Sequence, residues 1–477
     1  MSADRVPVLR FVGGARTVTG SKTILDTPDG RLLVDAGLFQ GRKELRQANW
    51  SPFPVAPDSI DAIVLTHAHI DHCGYLPRLV KLGFDGPIRC TRGTADLLRI
   101  VLPDSAYLQE EEAEYANRMG FSKHDPAEPL YTSDDAAATL ELIETVDFGE
   151  RHEVLPDVEV EWHRAGHILG AAWLRLHLGH GDGDVVFSGD LGRPTHPLLL
   201  PPDPIGPAGT VVIESTYGDE LHPDGDSEAT IADVVNDAAS CGGVVVVPAF
   251  AVDRTEVVLW HLDRLVERGD VPDIPVVVDS PMALRALHAY RDAVRRRSPE
   301  IRSELFGTEL FSSLHLIESR TADDSKALNG RRGPLVIVSA SGMATGGRVI
   351  HHLAHRIGDG RNTVLLVGFQ APGTRGDRLR QGATTIKMLG QYHPVRADVV
   401  SVELSSHADQ RELLGWLGTA DDPHLVLVNH GEPDASDALV AAIGRELDLP
   451  AASPQPGERV RVDRPVHARH LVAGGPR

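Results

Sequence analysis

Four side chains that can bind a metal ion lie within six consecutive positions: His67, His69, Asp71 and His72. The apolar segment 60–65 directly before them predicts a buried strand, so the four lie at a strand end. An extended backbone projects alternate residues to one side, so His67 and His69 can face one ion. Asp71 and His72, where the chain turns, can face a second ion. Imidazole and carboxylate ligands suit zinc and, less selectively, manganese or iron. The segment therefore predicts a metal centre, and a solvated histidine-rich loop is the minor alternative.

Two later residues could complete such a centre. His167 lies between Gly166 and Gly170, and glycines let the backbone pass close to an ion. Asp190 ends a predicted buried strand at 185–189. The two oxygens of one carboxylate can each take one ion, so Asp190 could bridge two metals.

Three other polar residues also end predicted strands. Asp35 follows the strand 31–34 and either orients a metal-bound histidine or simply forms a turn, and the spacing leaves both interpretations open. His407 and His430 end strands much later in the chain.

The predicted elements fall into two patterns. At 477 residues the chain exceeds what one hydrophobic core usually holds, so we expect two domains. From Val211 strands alternate with helices, which predicts a parallel α/β sheet in the second domain. The strands of this pattern are 211–213, 244–247, 276–278, 335–338 and 363–367, with a typical helix at 254–268. The section from strand 399–402 onward returns to the style of the first domain and closes with an edge strand.

Two loops of the second pattern are rich in Gly, Ser and Thr. They are 339–348, with Ser341 and Arg348, and 368–376, with Arg375. Backbone N–H groups and a guanidinium suit phosphate, so we expect these three residues to bind substrate, although ordinary turns are equally consistent with the sequence.

The composition limits the protein class. The chain is 42% hydrophobic, and we expect no membrane association because no apolar run approaches the ~18 residues of a membrane helix. Residues 1–5 lead into a strand-like segment with no apolar signal core, and three scattered cysteines argue against a disulfide framework, so we expect a cytoplasmic protein. A formal net charge of −21 counts against a simple nucleic-acid binder, but a local cleft with bound metals can still be positive.

Taken in order, these motifs resemble the metallo-β-lactamase fold hydrolases of the β-CASP group. The likeness is strongest to the endonuclease subunit of the cleavage and polyadenylation specificity factor and its bacterial relatives, and it runs from residue 13 to about 465. The matching positions are Asp35, His67, His69, Asp71, His72, His167, Asp190, Glu214, His407 and His430. The resemblance implies an α/β protein: an αββα sandwich from residues 1–208 and 395–477, with a β-CASP domain, 209–394, inserted as a parallel α/β sheet.

The resemblance also implies a dinuclear centre with two zinc ions, or manganese in their place. The ligands would be His67, His69 and His167 for one ion, and Asp71, His72 and His430 for the other, with Asp190 bridging. Such a pair activates water for attack on a phosphodiester. Asp71, His407 and Glu214 would be catalytic, with His407 as a general acid oriented by Glu214, and Asp35 would orient a metal ligand from behind.

By resemblance, the substrate is single-stranded RNA, cut as an endonuclease, a 5′ exonuclease or both. His430 at its motif is similar to the RNA-processing branch, whereas DNA-repair members tend to carry valine there. The alternatives are a DNA nuclease, a small-molecule metallo-hydrolase of the same fold, and a scaffold that binds RNA or protein without cutting. The resemblance also allows a homodimer.

Overall fold

The structure is a computed structural model that describes residues 6–462 except 121, 123, 180–182, 224 and 372. The last residues of the family resemblance, 463 to about 465, lie outside the described residues. So do residues 1–5, which entered our expectation of a cytoplasmic protein.

The described chain forms two compact units. The first comprises Met1–Pro194, Pro201–Leu221 and His407–Arg477, and the second comprises Thr195–Leu200 and His222–Ser406. The second unit is thus inserted into the chain of the first.

The elements of the first unit come from both ends of the chain. Its strands are β1 (Val8–Gly13), β2 (Lys22–Thr27), β3 (Gly30–Val34), β4 (Ala62–Val64), β5 (Ile88–Thr91), β6 (Ile143–Val146), β7 (Arg151–Leu155), β8 (Val158–Arg164), β9 (Ala172–Leu178), β10 (Gly183–Phe187), β11 (Gly206–Pro207), β12 (Thr210–Ile213), β21 (Ala420–Asp421), β22 (Leu425–Val428), β23 (Ala451–Ala452) and β24 (Arg459–Arg461). Its helices are α1 (Lys43–Ala48), α2 (Ile70–Cys73), α3 (Leu76–Lys81), α4 (Arg92–Met119), α5 (Ser133–Glu141), α12 (Gln410–Leu417) and α13 (Pro433–Glu446).

Two seven-stranded sheets make the core of the first unit. Their orders are β24-β1-β2-β3-β4-β5-β6 and β23-β22-β12-β10-β9-β8-β7. Apolar residues of both sheets, such as Phe11 and Val64 of one and Trp162 and Leu174 of the other, form one buried cluster. Helix α4 packs on β5 and β6, while α13 packs on β22 and β23. This is the expected αββα sandwich, with β24 as the expected edge strand.

The second unit is an α/β domain. Its strands are β13 (Val244–Pro248), β14 (Val276–Val278), β15 (Leu316–Glu318), β16 (Leu335–Ser339), β17 (Thr363–Leu366), β18 (Thr385–Met388), β19 (Gln391–Pro394) and β20 (Asp398–Ser401), and its helices are α6 (Ser227–Cys241), α7 (Arg254–Arg268), α8 (Pro281–Arg296), α9 (Ala322–Asn329), α10 (Val349–Arg356) and α11 (Arg375–Arg380). Six strands form a parallel sheet in the order β15-β14-β16-β13-β17-β20. Continuous valine-rich strands such as β13 suit a sheet that is buried on both faces.

Two strands lie in a different unit from the one that we predicted. The segment 210–213 is β12, which pairs with β10 and β22 in the first unit. The segment 398–401 is β20, which pairs with β17 in the second unit. Both are short apolar parallel strands, and such a run carries no sign of which sheet it joins. The first unit therefore extends past the predicted boundary at 208, and the second extends past the one at 394.

Among the described residues, no helix combines the length and the apolar character needed to cross a bilayer.

Candidate active site

Strand β4 delivers the first ligands to the end of the sheet. The chain continues from β4 through His67 to His69, whose backbone is extended, and then turns into the short helix α2, which carries Asp71 and His72. The neighbouring loop passes so close that a side chain on Gly37 would place its Cβ 1.6 Å from the backbone oxygen of Asp71. Only glycine fits there, because any larger residue would displace α2.

Three histidines and one carboxylate converge to form the first ligand group. The Nδ1 atom of His69 lies 3.2 Å from Nε2 of His67 and 3.1 Å from Nε2 of His167. Asp190 Oδ2 lies 3.4 Å from the His67 nitrogen. Ligand atoms ~2.0–2.1 Å from a tetrahedral zinc ion would lie about 3.3 Å from one another, so this spacing fits such an ion.

The second ligand group combines residues from the two ends of the chain. Nε2 of His72 lies 3.2 Å from Nε2 of His430, and the latter atom lies 3.6 Å from Asp71 Oδ2. One ligand atom from each of the three residues falls within a sphere that suits a single cation. His430 is brought here by β22, which pairs with β12 in the sheet.

Asp190 lies between the two groups. Its Oδ2 faces the first group, and its Oδ1 lies 3.3 Å from Nε2 of His72 in the second. Oδ1 is buried and has no hydrogen-bond partner among the described residues. A buried carboxylate oxygen without a partner is costly, and a cation between the groups would satisfy it.

The charges at the site also favour a cation. Burial lowers the pKa of His69 to about 3, so this imidazole is neutral and ready to bind a metal. Burial alone would lower the pKa of His430 as well, but the Asp190 carboxylate raises it to about 9. The carboxylates thus draw positive charge into the second group, and bound metal would supply it in place of the proton.

Asp35 contacts the second ligand group from behind. Its Oδ2 lies 2.7 Å from Nδ1 of His72, and its Oδ1 accepts a hydrogen bond from the Thr66 N–H at 2.8 Å. Occupying Nδ1 leaves the Nε2 lone pair of His72 aimed at the site. Of the two interpretations that the sequence left open, this geometry favours the orienting role.

Two residues with hydroxyl groups, which the sequence analysis missed, support the site. Thr66 Oγ1 lies 3.0 Å from Nδ1 of His67, and Ser188 Oγ accepts a hydrogen bond from the N–H of Glu214 at 2.9 Å. Each directly precedes or closely neighbours a predicted ligand in the chain. Hydroxyls are so common near strand ends that only this proximity could have marked them.

A histidine and a glutamate form a pair next to the metal-ligand groups. Nδ1 of His407 lies 3.4 Å from Oε1 of Glu214, and its Nε2 lies 3.9 Å from Asp190. Glu214 is buried and accepts the Leu191 N–H at 2.6 Å, whereas the His407 side chain is 20% exposed. Burial lowers and Glu214 raises the pKa of His407, and the net change is upward. The pair therefore presents to solvent an oriented imidazole whose pKa is raised.

The three predicted substrate-binding residues lie in the second unit. The Arg348 guanidinium donates to the buried carboxylate of Asp279 at 2.7 Å. Arg375 donates to the backbone oxygen of Lys387 at 2.9 Å and to that of Thr345 at 2.9 Å. Ser341 Oγ accepts the Thr345 N–H at 3.1 Å. Both arginines thus already bind protein groups, and their contact with phosphate stays a prediction.

Comparison with known proteins identifies the family over most of the chain. Residues 17–240 match the metallo-beta-lactamase superfamily, 255–379 match the Beta-Casp domain, and 392–454 match the Zn-dependent metallo-hydrolase RNA specificity domain. The chain is 36% identical over 446 residues to Ribonuclease TTHA0252 of Thermus thermophilus, covering 92% of this chain and 96% of the relative. The chain belongs to the β-CASP metallo-hydrolase family.

Other β-CASP relatives carry two kinds of name. The RNase J-like protein of Methanocaldococcus jannaschii is 28% identical, covering 94% of this chain and 98% of its own. Transcription termination factor FttA of the same organism is 31% identical, covering 88% and 66%. A solved protein of unknown function from Enterococcus faecalis V583 aligns over 96% of this chain and all of its own with a TM-score of 0.54 and 14% identity, a likeness of fold alone.

The resemblance inferred from the motifs and the sandwich fold with its inserted domain are confirmed by these matches. As a member of a family defined as Zn-dependent metallo-hydrolases, this β-CASP protein is expected to bind a divalent metal, and the two ligand groups fit that requirement.

Proposed function

We propose that this protein is a dinuclear-zinc ribonuclease that hydrolyses phosphodiester bonds of single-stranded RNA. The observation that carries the proposal is the position of Asp190 between two complete ligand groups, with the His407–Glu214 pair beside them. A small-molecule hydrolase needs the ligand groups but has no evident use for that pair. The RNA-acting names of relatives that match nearly end to end point the same way.

The residues of this chain would divide the work as follows. His67, His69 and His167 would hold one zinc ion, Asp71, His72 and His430 the second, and Asp190 would bridge them. Two such ions supply an activated water and neutralise charge on the phosphate. His407 would donate a proton to the leaving oxygen, while Glu214 holds the imidazole in orientation at its Nδ1.

The polymer is proposed to be RNA rather than DNA. Similarity at His430 to the RNA-processing branch and the specificity-domain match at 392–454 both favour RNA. Endonuclease and 5′ exonuclease action remain joint proposals, as does a homodimer. The cytoplasmic location is proposed from cysteine usage, and all three thiols are free.

The test is cleavage of end-labelled single-stranded RNA and of the same sequence as DNA, with zinc content measured for each protein. Wild type is compared with His407→Ala, and His288→Ala serves as the control because His288 is a half-exposed histidine of the second unit. We expect RNA cleavage by wild type and the control, and a rate lower by roughly 100-fold or more in His407→Ala with both zinc ions retained.

Three results would contradict the proposal in different ways. Cleavage of DNA alone would favour a DNA nuclease. Zinc-loaded wild type that cuts neither polymer would favour a small-molecule hydrolase or a scaffold. Loss of zinc from His407→Ala would remove the evidence for a general acid.

A further inference from the structure

A small cavity lies beside the second ligand group in the first unit. Its volume is about 20 Å³, and its lining includes Asp35, His72 and His430. A water molecule needs roughly 10–15 Å³ of such space and two to four polar partners. The cavity is therefore large enough for one water molecule and too small for a substrate.

Three polar groups in the cavity wall have no hydrogen-bond partner among the described residues. The Oδ1 atom of Asn429 is buried and unpartnered. The hydroxyls of Ser21 and Thr23 likewise make no hydrogen bond within the described part of the chain, although both residues are buried. Ser21 and Thr23 are two positions apart at the start of β2, so their side chains project to one side.

These groups are close to one another. A Cβ on Gly14 would lie 3.2 Å from Nδ2 of Asn429 and 3.3 Å from Cα of Ser21, so the two residues are neighbours across this glycine. One water can donate to Asn429 Oδ1 and to one hydroxyl oxygen, and accept from the other hydroxyl. The unpartnered groups are neutral, which suits water better than an ion.

The loop that follows Asn429 needs such support. His430 has φ +50°, a left-handed conformation that is unfavourable for a residue with a side chain. Its N–H donates to the backbone oxygen of Gly14 at 2.9 Å, and the Asn429 N–H donates to Ile213 at 2.8 Å. Backbone contacts thus hold the loop on one side, and the Asn429 side chain remains to be anchored.

We propose that the cavity binds one ordered water that joins Asn429 to Ser21 and Thr23 and so holds His430 in its metal-binding position. Asn429 and Thr23 are positioning residues that act through this water. The water itself needs no metal, whereas its effect on metal binding rests on the proposed dinuclear centre.

The test combines crystallography with zinc release to a chromophoric chelator. We expect wild-type crystals to show one water within hydrogen-bonding distance of the three groups, with or without zinc. Thr23→Val keeps the shape and removes one hydroxyl, and Asn429→Leu removes the amide. Each variant should weaken the binding of one of the two proposed zinc ions by roughly ten- to a hundredfold. Thr363→Val, a buried strand threonine of the second unit, is the control and should behave as wild type.

The double variant distinguishes the shared water from two separate effects. Because both residues act through the same water, Thr23→Val combined with Asn429→Leu should release zinc about as fast as the worse single variant. A dry cavity in wild-type crystals would overturn the proposal whatever the zinc result. A water that is present in wild type, together with unchanged zinc release in Thr23→Val, would overturn its positioning role. The crystallographic result does not depend on catalytic activity. If the ribonuclease proposal failed, the water could therefore still be observed, and the two failures could be told apart.

Discussion

At the scale of single residues, the site depends on groups that hold the ligands in place. His72 is aimed by Asp35 and His407 by Glu214, and each pair joins residues far apart in sequence. Six candidate ligands could be predicted from their neighbours in the chain, whereas the roles of His430 and of the His407–Glu214 pair could be predicted only from the family resemblance. Two predictions follow from these pairs.

Replacing Asp35 with Asn should weaken zinc binding by roughly ten- to a hundredfold. The carboxylate has two oxygens that can accept a hydrogen bond from the Nδ1–H of His72, whereas the amide has only one. Competition with a chelator of known affinity measures the change. Asp26→Asn is the matched control, since Asp26 lies on β2 of the same unit and its carboxylate contacts the side chains of Arg31 and Arg459. Equal zinc affinity in the two variants would contradict an orienting role.

Replacing Glu214 with Gln should move the alkaline limb of the pH–rate profile to lower pH. Burial lowers and Glu214 raises the pKa of His407, so the carboxylate keeps the acid protonated to higher pH. Without it, His407 loses its proton earlier and the rate falls sooner. Glu228→Gln is a control, because Glu228 contacts His261 at 3.0 Å in the second unit. A profile that is unchanged in Glu214→Gln would argue against His407 as the titrating acid.

At the scale of elements, the sequence predicts where strands and helices are better than it predicts which sheet they join. The helix expected at 254–268 begins and ends as α7 does. Strands β12 and β20, however, each lie in a different unit from the one that we expected. A short valine-rich strand can fit any parallel sheet, and only its pairing with distant strands determines which sheet it joins. Arg348 shows the same limit, since its partner Asp279 lies 69 positions away. The sequence can therefore predict that a loop is polar, but it does not predict which residue its charged side chain will contact.

Helix α7 carries a buried acid whose replacement should stabilise the protein. Glu256 is fully buried, and neither carboxyl oxygen has a hydrogen-bond partner among the described residues. Burial, with the nearby Asp253 charge, holds its pKa well above the usual value. The unfolded chain loses this proton at a lower pH than the folded chain, so stability that is present in acid is lost as pH rises through the folded pKa.

Glu256→Gln removes this dependence, because the amide is neutral at every pH. We expect the variant to be more stable than wild type at pH 8 and the advantage to shrink at pH 5. Urea unfolding at both pH values measures the difference. An advantage of the same size at the two values would show that packing, rather than ionisation, separates the proteins.

At the scale of the whole molecule, the proposed metal ligands come from segments near both ends of the chain. The first ligands come from the loop after β4, and His430 comes from the end of β22. Zinc that binds only the folded protein stabilises it by ~2.7 kcal/mol per site when free zinc is 100 times its Kd. All seven proposed ligands lie in the first unit, so we expect this gain in stability to belong to the first unit.

Removal of metal by a chelator should therefore lower the unfolding temperature of the first unit and leave that of the second unchanged. Differential scanning calorimetry with and without chelator measures this, and added zinc should restore the original trace. Two transitions that shift together, or none that shifts, would contradict the assignment of both ions to the first unit.

The insertion of the second unit before His407 and His430 also has a consequence during synthesis. A ribosome makes the chain from its N-terminal end onward, so the first proposed ligands are translated long before His407 and His430. Until then a nascent chain lacks two residues of the proposed centre. We therefore expect a growing polypeptide to be unable to cut the message that encodes it before synthesis is nearly complete.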